Sequence, residues 1–311
     1  MKKKDKKSDI LPIIIMGCLF LVVYGLVLLL TKPFVDKGVV APAFEDENNP
    51  FNILIIIVMM LVMTAIILLI AKYWKEKIIQ FIILGAVGYT SFFAFFLPIF
   101  SLIIPLSYSE IILILSAVSA VLLVAFLYKY PEWYVIDISG IIIGVGAIVI
   151  FGISLGILLV LILLVALAIY DAISVYKTKH MIDLADTVMD LKLPVLLVIP
   201  KIRNYSLIKE TKRLKQKIEE KEERDAFFMG LGDIVLPGVL VAAIYHHIPN
   251  GLYIALSSIF GILVGFAILM YFVIKGKPQA GLPLLCSGAI AGYIISSLII
   301  FQELKGLYFS F

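Results

Sequence analysis

The sequence has few charged residues and few of the residue types that form disulfides or metal clusters. Only 15% of its 311 residues are charged, whereas soluble domains average about 25%. Cys18 and Cys286 fall in different hydrophobic segments without CxxC spacing, so we interpret both as buried free thiols. The three histidines are scattered, and we assign the His246–His247 pair to an exposed turn on the outside of the membrane. We therefore predict no metal site and no cofactor.

Hydrophobic residues, by contrast, make up 62% of the chain, and the mean hydropathy is +1.11. A water-soluble core cannot bury so much apolar surface, so we predict an all-α polytopic membrane protein. A membrane-spanning helix needs about 20 mostly apolar residues. Nine segments meet this requirement: Ile10–Leu30, Phe51–Ala71, Ile78–Ile104, Ile111–Leu127, Val135–Phe151, Ser154–Tyr176, Ala226–Tyr245, Leu252–Ile274 and Gly281–Phe301. The boundary between the fifth and sixth, at "IFGISLG", is the least distinct.

The distribution of lysine and arginine predicts the orientation of these spans. With the N-terminus inside, the inside loops hold 23 of the 26 basic residues: 1–9, 72–77, 128–134, 177–225 and 275–280. The first apolar run is too long for a signal peptide, so we interpret it as a retained helix. We predict a multi-pass cell-membrane protein with its N-terminus in the cytoplasm and its C-terminus outside. The net charge of +4 then reflects topology and does not indicate nucleic-acid binding.

One long polar segment divides the chain into three parts. Residues 1–176 form a six-helix part, 177–225 a cytoplasmic connecting loop, and 226–311 a three-helix part. Within the loop, helical spacing around Met181 and a charged stretch from Leu207 each predict a helix. The run "LPVLLVIP" between them is either a strand or a segment that lies against the membrane.

Ionisable residues within spans are rare and point to function. We interpret Glu110 and Asp137 as interfacial acids at helix N-termini, favoured by the helix dipole. Asp171 and Asp233 remain. Asp171 is five residues before the predicted end of span six, about 8 Å, and Asp233 is seven residues into span seven, about 10 Å. Because these spans are consecutive and antiparallel, both carboxyls are predicted at one depth.

Two buried carboxyls at one depth are suited to peptide hydrolysis. When they share a proton, one takes a proton from water while the other donates to the scissile carbonyl, and the pair titrates as a unit. Gly230 and Gly232 allow the backbone or a substrate to approach closely, although glycines at such positions also serve helix packing.

The motifs "YD" in span six and "GLGD" in span seven resemble those of the GxGD intramembrane aspartyl proteases. With nine spans and an inside N-terminus, the chain looks like an archaeal homologue in the presenilin and signal peptide peptidase family. The resemblance implies a presenilin-like fold, catalytic Asp171 and Asp233, supporting roles for Tyr170, Gly230 and Gly232, and transmembrane-helix substrates cleaved within the bilayer.

The third motif of the family is Pro-Ala-Leu-Pro at the start of the ninth helix. Here the corresponding stretch is Ala280-Gly281-Leu282-Pro283, which retains only the last two residues. A backbone segment interrupted by proline is tolerated at membrane depth only where it is buried or lines a wet cavity. We expect Ala280–Pro283 to shape that cavity and to hydrogen-bond an unwound substrate.

Other interpretations remain open at this point. Signal peptide peptidases have the same motifs but the inverted orientation, which the basic residues argue against. A prepilin- or preflagellin-peptidase-like GxGD enzyme is another possibility, although such enzymes have fewer spans. An ion or proton-coupled transporter or channel could use the same two aspartates, yet we find no internal repeat. A structural membrane protein would leave the paired acids unexplained. Homo-oligomers are compatible with each interpretation.

Overall fold

The computed structural model describes residues 7–73, 76–175, 196–201, 205–206, 226–275 and 279–307, and most of them are helical. The elements are α1 (Lys7–Asp36), α2 (Phe51–Tyr73), α3 (Glu76–Ser91), α4 (Leu97–Ile103), α5 (Ser109–Lys129), α6 (Trp133–Ser154), α7 (Ile157–Ile173), β1 (Leu196–Pro200), β2 (Ala226–Gly230), α8 (Leu231–His247), α9 (Leu252–Ile274) and α10 (Gly281–Phe301). A π-helical turn, Phe92–Phe96, joins α3 to α4, and a 3₁₀ turn, Leu106–Tyr108, precedes α5.

Six helical stretches among the described residues are long and apolar enough to cross a membrane. Three shorter apolar stretches are Phe51–Met63, which is the first part of α2, and the helices Ile157–Ile173 and Leu231–His247. Each of these stretches overlaps one of the nine predicted segments, so the apolar pattern located the helices correctly. The number of membrane crossings and their direction stay predictions.

The break between the fifth and sixth segments lies where the sequence suggested it. Helix α6 ends at Ser154, and Gly156 has extended backbone angles of φ −60° and ψ 151° before α7 begins. The Gly156 N–H donates a hydrogen bond of 2.8 Å to the carbonyl oxygen of Glu47. The loop between α1 and α2 therefore packs against this turn.

The predicted start of the seventh segment, at Ala226, is wrong. Residues 226–230 form β2, which pairs antiparallel with β1 so that Leu196 lies opposite Gly230 and Val198 opposite Phe228. Extended Gly230, with ψ 135°, ends the strand, and α8 begins at Leu231. Of the two interpretations of "LPVLLVIP", the strand is confirmed. The helices predicted around Met181 and from Leu207 lie outside the described residues.

Helix α8 occupies the centre of the bundle. Every residue from Pro237 to Ile244 is buried, as expected for a helix that is apolar on all sides. Helices α9 and α10 pack so closely that a Cβ on Gly261 or on Gly288 would collide with the carbonyl oxygen of the other. Small residues permit such close contact between apolar helices. The end of α7 and the starts of α8 and α10 together form the site.

Candidate active site

The two aspartates lie at adjacent helix ends. Asp171 is the third residue from the end of α7, and Asp233 is the third residue of α8. Helix α8 begins five residues later than predicted, whereas helical structure after α7 continues through a π turn to Val175. Asp171 is 6% exposed and Asp233 is half-buried. The carboxylates are near enough to interact electrostatically.

The first residues of α10 touch both carboxyl groups. The Leu282 N–H donates a hydrogen bond of 3.2 Å to Asp171 Oδ2. Gly281 lies against Asp233, so that a Cβ on it would be 2.9 Å from Oδ2 and 3.0 Å from Oδ1. Consecutive residues thus contact the two aspartates, and the free N–H groups of a helix N-terminus favour negative charge there. The two carboxyls meet at the start of α10.

The two glycines of "GLGD" have different surroundings. The Gly230 N–H donates to the Asp233 carboxylate, which is one half of a capping box, because the N-cap glycine has no side chain to make the other half. Gly232 is exposed, and a Cβ on it would meet no atom of the described residues within 4 Å. Helix packing therefore does not explain Gly232. It leaves an open side beside Asp233 through which water or a peptide backbone can approach.

The remaining predicted residues differ in their proximity to the pair. Tyr170 is 70% exposed, and its supporting role stays a prediction. Ala280 is 1% exposed and has an extended backbone immediately before α10. Leu282 and Pro283 are half-buried. The motif at the start of α10 thus combines a buried anchor with partly accessible side chains.

Tyr24 is a site residue that the sequence did not reveal. It is fully buried in α1, and its hydroxyl donates a hydrogen bond of 2.9 Å to the carbonyl oxygen of Ile234. Pro237 lacks an N–H, so the carbonyl oxygen of Asp233, four residues earlier, cannot receive the usual helical hydrogen bond. Tyr24 also interacts electrostatically with Asp233. A lone tyrosine in an aliphatic span was the only signal available for this role.

The interpretation of Asp137 as an interfacial acid is wrong. Asp137 is 5% exposed, and its Oδ1 accepts a hydrogen bond of 2.8 Å from the Val198 N–H. It therefore holds the edge of β1 that does not face β2. Strand β1 pairs with β2, and β2 leads through Gly230 to Asp233. Asp137 therefore supports the site indirectly, by holding the hairpin. Glu110, in contrast, is exposed in the first turn of α5, as predicted.

The family model described as "Signal-peptide peptidase, presenilin aspartyl protease" matches residues 17–302, which is most of the chain. The chain belongs to this family. Among curated proteins, none matches the sequence. Two solved structures of a presenilin family intramembrane aspartate protease are similar to it. The form in space group P2 has 35% sequence identity and a TM-score of 0.66, and the alignment covers 91% of the present chain and 96% of the solved one. The form in space group C222 has 33% sequence identity and a TM-score of 0.62, and the alignment covers 92% of the present chain and 98% of the solved one.

Membership of the presenilin and signal-peptide-peptidase family makes the protein an intramembrane aspartic endopeptidase. The apolar helices agree with a multi-pass membrane protein. Members of this family cleave transmembrane substrates within the membrane. The transporter, prepilin-peptidase and structural interpretations are not favoured by these comparisons.

Proposed function

We propose that Asp171 and Asp233 are the catalytic pair and that they share one proton. The ionised carboxyl removes a proton from a water molecule, whose oxygen attacks the scissile carbonyl carbon. The protonated carboxyl donates to the carbonyl oxygen, and collapse of the tetrahedral intermediate transfers a proton to the leaving amine. The observation that carries the proposal is the contact of Gly281 and Leu282 with the two carboxyls.

Neighbouring residues have distinct roles in this mechanism. The N–H groups of Leu282 and Gly230 orient one carboxyl each. The open side at Gly232 admits water and the extended substrate. Ala280–Pro283 shapes the substrate cavity, with Leu282 and Pro283 as the accessible part. The substrate helix unwinds before cleavage because a helix shields its own peptide bonds.

The membrane arrangement belongs to the same proposal. The chain crosses the cell membrane nine times with its N-terminus in the cytoplasm, because 23 of 26 basic residues then lie inside. Residues 1–176 and 226–311 supply one aspartate each, and 177–225 connects them in the cytoplasm. This orientation distinguishes a presenilin-like member from a signal peptide peptidase. The enzyme works without a cofactor, as a monomer or a homo-oligomer.

Cleavage of a single-span reporter protein by the purified enzyme in liposomes tests the catalytic pair. We expect Asp171→Asn and Asp233→Asn to abolish cleavage while the thermal unfolding midpoint and gel-filtration profile stay close to those of the parent. Asp36→Asn, the same substitution at an exposed aspartate in the last turn of α1, serves as the matched control and retains activity.

Residual cleavage by either single variant would contradict the shared-proton mechanism. An inactive parent that conducts ions only when both aspartates are present would replace the protease function with the transporter function. Loss of activity in Asp36→Asn as well would show that the assay reports folding and not catalysis.

A further inference from the structure

A second cluster of chemically active side chains lies at the other end of α8. His246 and His247 occupy the last turn of this helix, where the sequence suggested only an exposed turn. The loop between α1 and α2 brings Glu47 to them. The potential ligand atoms of the three residues all lie within 4.8 Å of one another. The expectation of no metal site did not consider Glu47, which is about two hundred residues away in sequence.

The ring of His247 is oriented at both nitrogens. Nε2 lies 3.0 Å from the carbonyl oxygen of Leu155, which accepts only, so this nitrogen carries the proton. Nδ1 lies 3.1 Å from Glu47 Oε2. In a neutral ring Nδ1 carries a lone pair and is an acceptor. It would then face a carboxylate oxygen, which is an acceptor too. A positive charge or a proton between these atoms is required.

This arrangement matches the usual environment of a metal-binding histidine. Such a histidine donates its second ring N–H to a carbonyl or carboxylate, which fixes the tautomer and directs the other nitrogen at the metal. Here the Leu155 carbonyl has that role. The same turn also holds Glu47 through the Gly156 N–H, and Ser154 Oγ accepts a hydrogen bond of 2.7 Å from the Ala43 N–H. The loop is therefore fixed against α6 and α7.

We propose that Glu47, His246 and His247 bind a zinc ion. Zn–N and Zn–O bonds of about 2.0–2.2 Å separate two tetrahedral ligands by roughly 3.3–3.5 Å. The 3.1 Å between His247 Nδ1 and Glu47 Oε2 is close to this spacing. His246 completes three protein ligands after a side-chain rotation, and water takes the fourth position. The negative end of the α8 dipole also favours a cation.

The zinc site is separate from the catalytic pair. His247 follows Asp233 by 14 residues in α8, which is about 21 Å along the helix axis. The ion therefore takes no part in hydrolysis. It joins the loop between α1 and α2 to the end of the central helix.

Zinc titration of the full-length protein in detergent, with any affinity tag removed, tests the site. Competition against a chromophoric chelator is expected to give one Zn²⁺ per chain. Glu47→Gln and His247→Gln should each weaken the affinity more than about tenfold. His180→Gln, the same substitution at the remaining histidine, is the matched control and keeps the parent affinity. Mg²⁺ at equal concentration should not compete, because it binds oxygen ligands.

Spectroscopy on the parent gives an answer that does not depend on the variants folding. Co²⁺ in place of zinc is expected to show the visible absorption of a four-coordinate nitrogen and oxygen site, and zinc X-ray absorption should show imidazole scattering. A parent that binds no zinc would overturn the proposal and assign a shared proton to the His247–Glu47 pair. A sulfur shell, which would indicate Cys18 or Cys286, or unchanged binding in a Glu47→Gln/His247→Gln double variant, would overturn it as well.

Discussion

Replacing Asp137 should loosen the hairpin that leads to the catalytic Asp233. In Asp137→Ala the Val198 N–H loses its 2.8 Å acceptor in a buried position. An unpaired buried N–H costs about 1–3 kcal/mol, which corresponds to about a 5- to 150-fold increase in the population of the opened strand. Asp137→Asn keeps an acceptor oxygen of the same shape. The hairpin should therefore open more often in the alanine variant than in the asparagine variant.

Hydrogen exchange measured by mass spectrometry on the reconstituted enzyme is the appropriate assay. Peptides that cover β1 and β2 should exchange faster in Asp137→Ala by the factor above, whereas peptides from α9 and α10 should not change. The turnover number for the reporter should fall along with this, because Gly230 at the end of β2 donates to Asp233. Equal exchange in the alanine and asparagine variants would refute the anchoring role of Asp137.

Substitutions at three further positions probe the site itself. Gly281→Ala brings a methyl group to about 3 Å from the Asp233 carboxylate. The carboxylate can give way by a few tenths of an ångström, so kcat should fall by no more than about tenfold. The bulkier side chain of Gly281→Val should abolish cleavage. Equal activity of the two variants would contradict the close contact. The methyl group of Gly232→Ala would contact no atom of the described residues, so thermal stability should be unchanged while KM rises. An unchanged KM would show that substrate does not approach at this position. Tyr24→Phe leaves the Ile234 carbonyl without its 2.9 Å donor, and should lower unfolding stability by about 1 kcal/mol and reduce kcat; a variant with parental stability would contradict this role.

The catalytic pair was accessible from the sequence because a carboxylate is conspicuous in an apolar span. Asp171 and Asp233 stand out in this way, and the helix spacing put them at corresponding positions. The "GLGD" and "AGLP" motifs added the identity of the family. The structure moved the start of α8 by five residues yet kept both aspartates at neighbouring helix ends.

What the sequence concealed depends on contacts between distant segments. An apolar strand and an apolar helix have the same hydropathy, so Ala226–Gly230 was assigned to a span until its pairing with β1 was known. Asp137 was misinterpreted because its partner, Val198, lies 61 residues away. Tyr24 bonds a backbone carbonyl 210 residues away, and a backbone acceptor carries no sequence signal. Glu47 and His247 likewise meet only through tertiary folding.

The pH dependence of kcat/KM for reporter cleavage tests the shared proton most directly. Hydrolysis by one ionised and one protonated carboxyl requires the singly protonated pair, so the rate should fall at low pH, where both are protonated, and at high pH, where both are ionised. We expect a bell-shaped profile with a slope of one on each side, measured over a range in which the enzyme stays folded. A profile with a single limb, or none, would contradict the joint action of Asp171 and Asp233.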